Sequence, residues 1–192
     1  MKFVTMLFET LYLKAKQRRN AIVLLMLGMT LILFYSPAQS FQFETIAMRN
    51  MNTFKKFDGV IQNALVIKST MEDNKYFDRI EFASGELVDD EDGSFFVSVG
   101  PSWRFNKRIS GSGIAFIEFG TSPTWIENGS FGDESLGGHL FFTSNVQLGM
   151  HFGHRRALTL SVRIHHISNG GLSSKNPGTD MVGIELSYAL GR

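Results

Sequence analysis

The stretch Leu158-Thr159-Leu160-Ser161-Val162-Arg163-Ile164-His165-His166-Ile167-Ser168 decides the fold. Leu158, Leu160, Val162 and Ile164 fall on one face, and Thr159, Ser161, Arg163 and His165 on the other. Strict alternation of this kind marks a β-strand with two unlike faces. An arginine and a histidine on the second face point to a polar interior.

Neighbouring segments repeat the pattern. From Leu140 to Phe152, Leu140, Phe142, Val146, Leu148 and Met150 oppose Thr143, Asn145, Gln147 and His151. From Phe95 to Phe105, Phe95, Val97, Val99, Trp103 and Phe105 oppose Ser98, Gly100, Ser102 and Arg104. In the last strand Val182, Ile184, Leu186, Tyr188 and Leu190 oppose Gly183, Glu185, Ser187 and Ala189. Less regular strands are predicted around Gly59–Lys68 and Gly113–Thr121, and a weaker one at Tyr76–Phe82. Gly85–Gly93, with five acidic residues, reads as a solvated loop. Asn128–Gly138 reads as a second loop, and Phe41–Lys56 receives no assignment.

Apolar-out, polar-in strands of about ten residues match a transmembrane β-barrel. Roughly 150 mature residues in strand-plus-turn units of about 19 give eight strands. Trp103, Phe105, Trp125 and Tyr188 sit near strand ends, where aromatic girdles belong. A soluble sandwich or lipocalin-like barrel also alternates, and it is the N-terminus that favours the membrane. Lys14, Lys16, Arg18 and Arg19 precede an apolar run from Ala21 to Tyr35, too short for a membrane helix. Residues 1–40 are therefore expected to be a signal peptide, cleaved after Ala38 or Ser40. An uncleaved anchor is the second reading, because Met1–Leu13 is itself rather apolar. Residues 41–192 are then the barrel domain: all-β, eight antiparallel strands.

Composition narrows the function. A formal net charge of +1 lacks the basic excess of a nucleic-acid-binding surface. The absence of cysteine excludes thiolate catalysis and cysteine-based metal sites. The five histidines match no ligand spacing, so no metal and no other cofactor is expected.

The chemistry concentrates at the end of the opening stretch. A serine hydroxyl becomes a nucleophile when a neighbouring base takes its proton, and histidine is the usual base. His166 and Ser168 lie two apart on a strand and project from one face, while His165 points the other way. The orienting acid is Asp180 or Glu185. Parity favours Asp180, which continues the outward even series of the last strand, whereas Glu185 lies on the inward face. Asn169 can donate its amide to an oxyanion, and the backbone N–H groups at Gly170 and Gly171 are approachable. Taken alone, a His-x-Ser pair is weak, and Asn176-Pro177-Gly178 reads as a plain turn.

His166-x-Ser168-Asn169-x-Gly171-Leu172, then Asn176-Pro177-Gly178-x-Asp180 and a final strand near Tyr188, resembles the PagL-type lipid A 3-O-deacylases. The motif match covers about residues 163–190, and strand patterning extends the likeness back to about Phe95. The resemblance implies an eight-stranded outer-membrane barrel carrying a catalytic triad of His166, Ser168 and Asp180. Asn169 would serve the oxyanion, with Gly171 beside it. The acid is often Glu in that family, so Asp180 is a shorter substitute. The implied substrate is lipid A, the lipopolysaccharide anchor, met in the membrane; the alternatives are a related phospholipid esterase and a non-enzymatic small barrel. The sequence does not choose between a monomer and a homodimer. The chain also ends in Leu190-Gly191-Arg192, without the terminal aromatic of many outer-membrane barrels.

Overall fold

The computed structural model describes residues 41–190, apart from 56–58, 72–73, 75, 91–92, 110–113, 132–133 and 154–155. The expected signal peptide, residues 1–40, lies outside the described residues, as does its cleavage site. Eight long strands follow one another: β1 (Phe41–Lys55), β2 (Ile61–Met71), β3 (Arg79–Val88), β4 (Gly93–Arg108), β5 (Ile114–Ile126), β8 (Leu140–Phe152), β9 (Leu158–Ser168) and β10 (Thr179–Ala189). A two-residue hairpin, β6 (Ser130–Phe131) with β7 (Glu134–Ser135), interrupts the connection between β5 and β8. The long strands close into an all-antiparallel barrel in the order β1-β10-β9-β8-β5-β4-β3-β2. Closure leaves the barrel sheet without a free edge, as a spanning sheet in hydrocarbon requires.

The alternation predicted for β4, β8, β9 and β10 is present, with the apolar set outward. Leu160, Val162 and Ile164 are about half exposed on β9, as are Ile184, Leu186 and Tyr188 on β10. So continuous an apolar wall on the outside of a closed barrel is a surface for lipid.

Three expectations are corrected. Phe41–Lys55, left unassigned, is a full strand that closes the barrel between β10 and β2. Gly85–Val88 is not part of a loop but the end of β3, paired with Ala64–Ile61 and Phe96–Gly93. Its Glu86 faces outward in a strand, and the true turn begins at Asp89. The supposed loop Asn128–Gly138 holds the β6–β7 hairpin and places Leu136, 6% exposed, over the lumen.

The interior is ionic. Arg49 Nη2 lies 2.8 Å from Glu81 Oε1 and 2.6 Å from Glu185 Oε2. Lys68 Nζ lies 3.0 Å from Glu118 Oε1 and 2.8 Å from Glu185 Oε1. Arg163 Nη1 donates to Glu81 Oε2 at 2.8 Å, and Arg104 Nε to Glu118 Oε2 at 2.6 Å. Gln147 accepts from Lys68 Nζ at 3.0 Å and donates to Glu185 Oε1 at 2.9 Å. Arg79 bridges Glu118 and Glu44. Above this lattice, at the end where β9 finishes, Met51, Leu87, Ile126, Leu136, Ile167 and Met181 form an apolar plug.

Removing one partner from a buried ion pair strands the other charge, which costs about 3–5 kcal/mol. Glu185→Gln should therefore lower the unfolding free energy in detergent micelles by roughly that amount. Urea titration followed by tryptophan fluorescence measures it; an unshifted midpoint would show that Glu185 holds no structural role.

Candidate active site

β9 carries His166 and Ser168 to its last turn of alternation, and both face outward. The flanking His165 and Ile167 are buried inside, 2% and 4% exposed. β10 runs back antiparallel, and the register sets Asp180 directly opposite His166. Cβ atoms of such a pair lie about 5 Å apart, which suits the short aspartate side chain. His166 Nδ1 and Asp180 Oδ1 are 2.7 Å apart. With Nδ1–H donated to the carboxylate, the lone pair of Nε2 remains for an incoming proton. The imidazole is about half exposed and Asp180 about one quarter, so the pair is open to the surroundings.

Gly178 (φ +59) precedes β10 and leaves room for the ring. A Cβ there would stand 3.1 Å from His166 Cε1 and 3.5 Å from Nε2. Ser168 occupies the next rung, half-buried, with Phe142 of β8 as its cross-strand partner. No hydrogen bond joins the Ser168 hydroxyl to the imidazole among the described residues. Such bonds often tighten only when substrate is bound.

Glu185, the alternative acid, is fully buried among Arg49, Lys68 and Gln147 on the other side of the wall. Asn169 is 1% exposed, and its side chain folds back into the following loop. Its Nδ2 donates to Lys175 O at 2.5 Å and to Leu136 O at 3.4 Å. Its Oδ1 accepts from Gly171 N–H at 3.0 Å. Asn169 N–H in turn donates to Asn176 Oδ1 at 3.0 Å. Both expected oxyanion donors thus hold internal acceptors in this conformation. The structure brings His166 and Asp180 together with Ser168 alongside; it does not aim the Asn169 amide at Ser168.

No local pattern in the sequence marks Asn176 as the staple of this loop. Its side chain caps a backbone group seven residues away, a contact that only the folded turn creates. His139 and His151 hold other partners: His139 Nδ1 lies 3.1 Å from Ile126 O, and His151 Nδ1 lies 2.8 Å from Thr159 Oγ1. His154 lies outside the described residues. No cluster of three or more potential metal ligands occurs among the described residues.

Among solved structures, the fold is similar to the outer membrane enzyme PagL, with a TM-score of 0.60 at 19% sequence identity. That likeness covers 75% of this chain and 98% of that one. Neisserial surface protein A (NspA) matches with a TM-score of 0.48 at 11% identity, over 76% of this chain and 93% of that one. No curated protein matches the sequence. The model of the family described as lipid A 3-O-deacylase (PagL) matches residues 66–189, well over half of the chain. The chain therefore belongs to the lipid A 3-O-deacylase (PagL) family.

Proposed function

We propose that the protein is an outer-membrane serine esterase that removes the 3-O-linked acyl chain of lipid A, with Ser168, His166 and Asp180 as its triad. The observation that carries this reading is the His166–Asp180 pair, held at 2.7 Å on a lipid-facing wall one rung from Ser168. A nucleophile there faces acyl esters embedded in the bilayer, which an interior site would not reach.

His166 Nε2 takes the Ser168 proton as Oγ attacks the ester carbonyl. Asp180 holds the ring in the required tautomer and stabilises the imidazolium. Asn169 and the backbone N–H of Gly171 serve the tetrahedral oxyanion when the turn exchanges its internal acceptors for the substrate oxygen. The intermediate collapses as His166 gives its proton to the departing sugar oxygen, leaving Ser168 acylated. Water, deprotonated by His166, then releases the 3-hydroxy fatty acid. No step calls for a metal or cofactor. Residues 1–40 complete the reading as the segment that directs export.

Ser168→Ala should abolish deacylation with the barrel still folded. Mass spectrometry of lipid A from cells expressing wild type should show the loss of one 3-hydroxyacyl group, absent with the variant. Equal loss from both would sink the proposal.

The acid is tested separately. Asp180→Asn supports the wrong tautomer and should lower kcat by about 10³–10⁴, whereas Glu185→Gln should retain activity in whatever fraction folds. The reverse pattern would reassign the acid.

A further inference from the structure

On the β5, β8 and β9 side of the pair, the outer wall is apolar with one exception, whereas beyond β10 the wall carries the exposed Asn50 and Asn52 of β1. On β8 the outward residues are Leu140, Phe142, Ser144, Val146, Leu148 and Met150; on β5 they include Phe119, Thr121, Pro123 and Trp125. The register aligns Thr121 with Ser144, Ser144 with His166, and His166 with Asp180. Four strands thus contribute a single polar rung. The next rung toward the loops holds Pro123, Phe142 and Ser168; the next on the other side holds Phe119, Val146, Ile164 and Val182.

Proximity to water does not account for Ser144 and Thr121. Apolar side chains flank them on both sides along β5 and β8, with Trp125 and Leu140 higher still. Val146 and Phe142 are each 40% exposed, so this part of the wall presents apolar surface outward. A hydroxyl in such a wall is disfavoured unless something polar meets it. Ser144 is exposed, and its hydroxyl has no partner among the described residues. It lies on the opposite side of His166 from Asp180, and Asp180 already holds the Nδ1 edge of the ring.

We propose that Ser144 is a specificity-determining residue of this site: its hydroxyl binds a hydroxyl carried by the acyl chain close to the scissile ester. The assignment rests on the esterase reading of Ser168. Ser168 and Ser144 are diagonal neighbours across adjacent strands, with Cβ atoms roughly 7–8 Å apart. An ester carbonyl over Ser168, a hydroxyl two carbons along the chain and one hydrogen bond together span that gap. Beyond it the chain lies on Val146, Ile164 and Phe119 and follows the wall into the bilayer. A chain without the hydroxyl leaves Ser144 unpaired against hydrocarbon, so the preference comes from the unmet group as much as from the bond. Thr121, alongside, supplies a second hydroxyl to the same rung.

The test compares two lipid A analogues that differ only in whether the 3-O-acyl chain bears that hydroxyl. Their kcat/KM ratio is measured in mixed micelles for wild type, Ser144→Ala, Ser144→Thr and Ser168→Ala. Wild type should favour the hydroxylated chain, Ser144→Ala should lower the ratio about five- to tenfold, and Ser144→Thr should restore it. An identical ratio in wild type and Ser144→Ala, or no wild-type preference, overturns the assignment of Ser144 while leaving the esterase standing. Hydrolysis of either ester by Ser168→Ala, or none by wild type, overturns the esterase reading itself. Heat-modified gel mobility confirms that each variant is a folded barrel.

Discussion

Each of the eight barrel strands places a member in one interior lattice of charges: Arg49, Lys68, Glu81, Arg104, Glu118, Gln147, Arg163 and Glu185. These partners come from positions 14 to 136 residues apart in the chain. A lattice of this kind is satisfied only when all strands are in register, because a one-residue slip turns each side chain through the wall. Charges unpaired in the interior, or turned into lipid, are both heavily penalised. The lattice therefore fixes the register on which the outer wall depends.

The consequence for chemistry is direct. With the lumen filled, a cavity bounded by Arg49, Gln62, Arg163 and His165 measures only about 10 Å³, space for a single water. His166 and Asp180 instead lie on the outer face of the wall, about half and about one quarter exposed. The same register that buries Glu185 beside Arg49 sets Asp180 opposite His166, five residues earlier on β10 and on the other face. Parity separates two adjacent histidines just as firmly, sending His165 into the polar interior and His166 to the lipid side.

The strands were legible where the two environments differ most. β8, β9 and β10 run from polar lumen to apolar bilayer along most of their length, so period-2 contrast is strong. β1 was not legible, because its contrast inverts toward the plug: Met51 is buried inside, while Asn50 and Asn52 are exposed. Asn50 instead finds Asn63 across the strand pair, its Nδ2 donating at 2.8 Å, and no local pattern announces that pairing. Gly85-Glu86 looked like loop by composition, yet Gly85 is needed where a Cβ would stand 1.9 Å from Asn63 O. At the site, the His166–Asp180 pair was readable because both residues obey strand parity. The fate of Asn169 was not, since its partners Lys175, Leu136 and Asn176 belong to irregular backbone whose path no periodicity encodes.

Aspartate at position 180 follows from the same geometry. Directly opposed residues on neighbouring strands are so close that a carboxylate on one methylene reaches the imidazole at 2.7 Å with its backbone in regular β conformation. A glutamate placed there would have to fold its longer chain back over the wall to make the same contact, ordering an additional torsion. The Asp180–His166 contact thus depends on where the loop from Asn169 to Gly178 delivers the chain back into β10. Asn169 and Asn176 tie that loop to itself between His166 and Asp180.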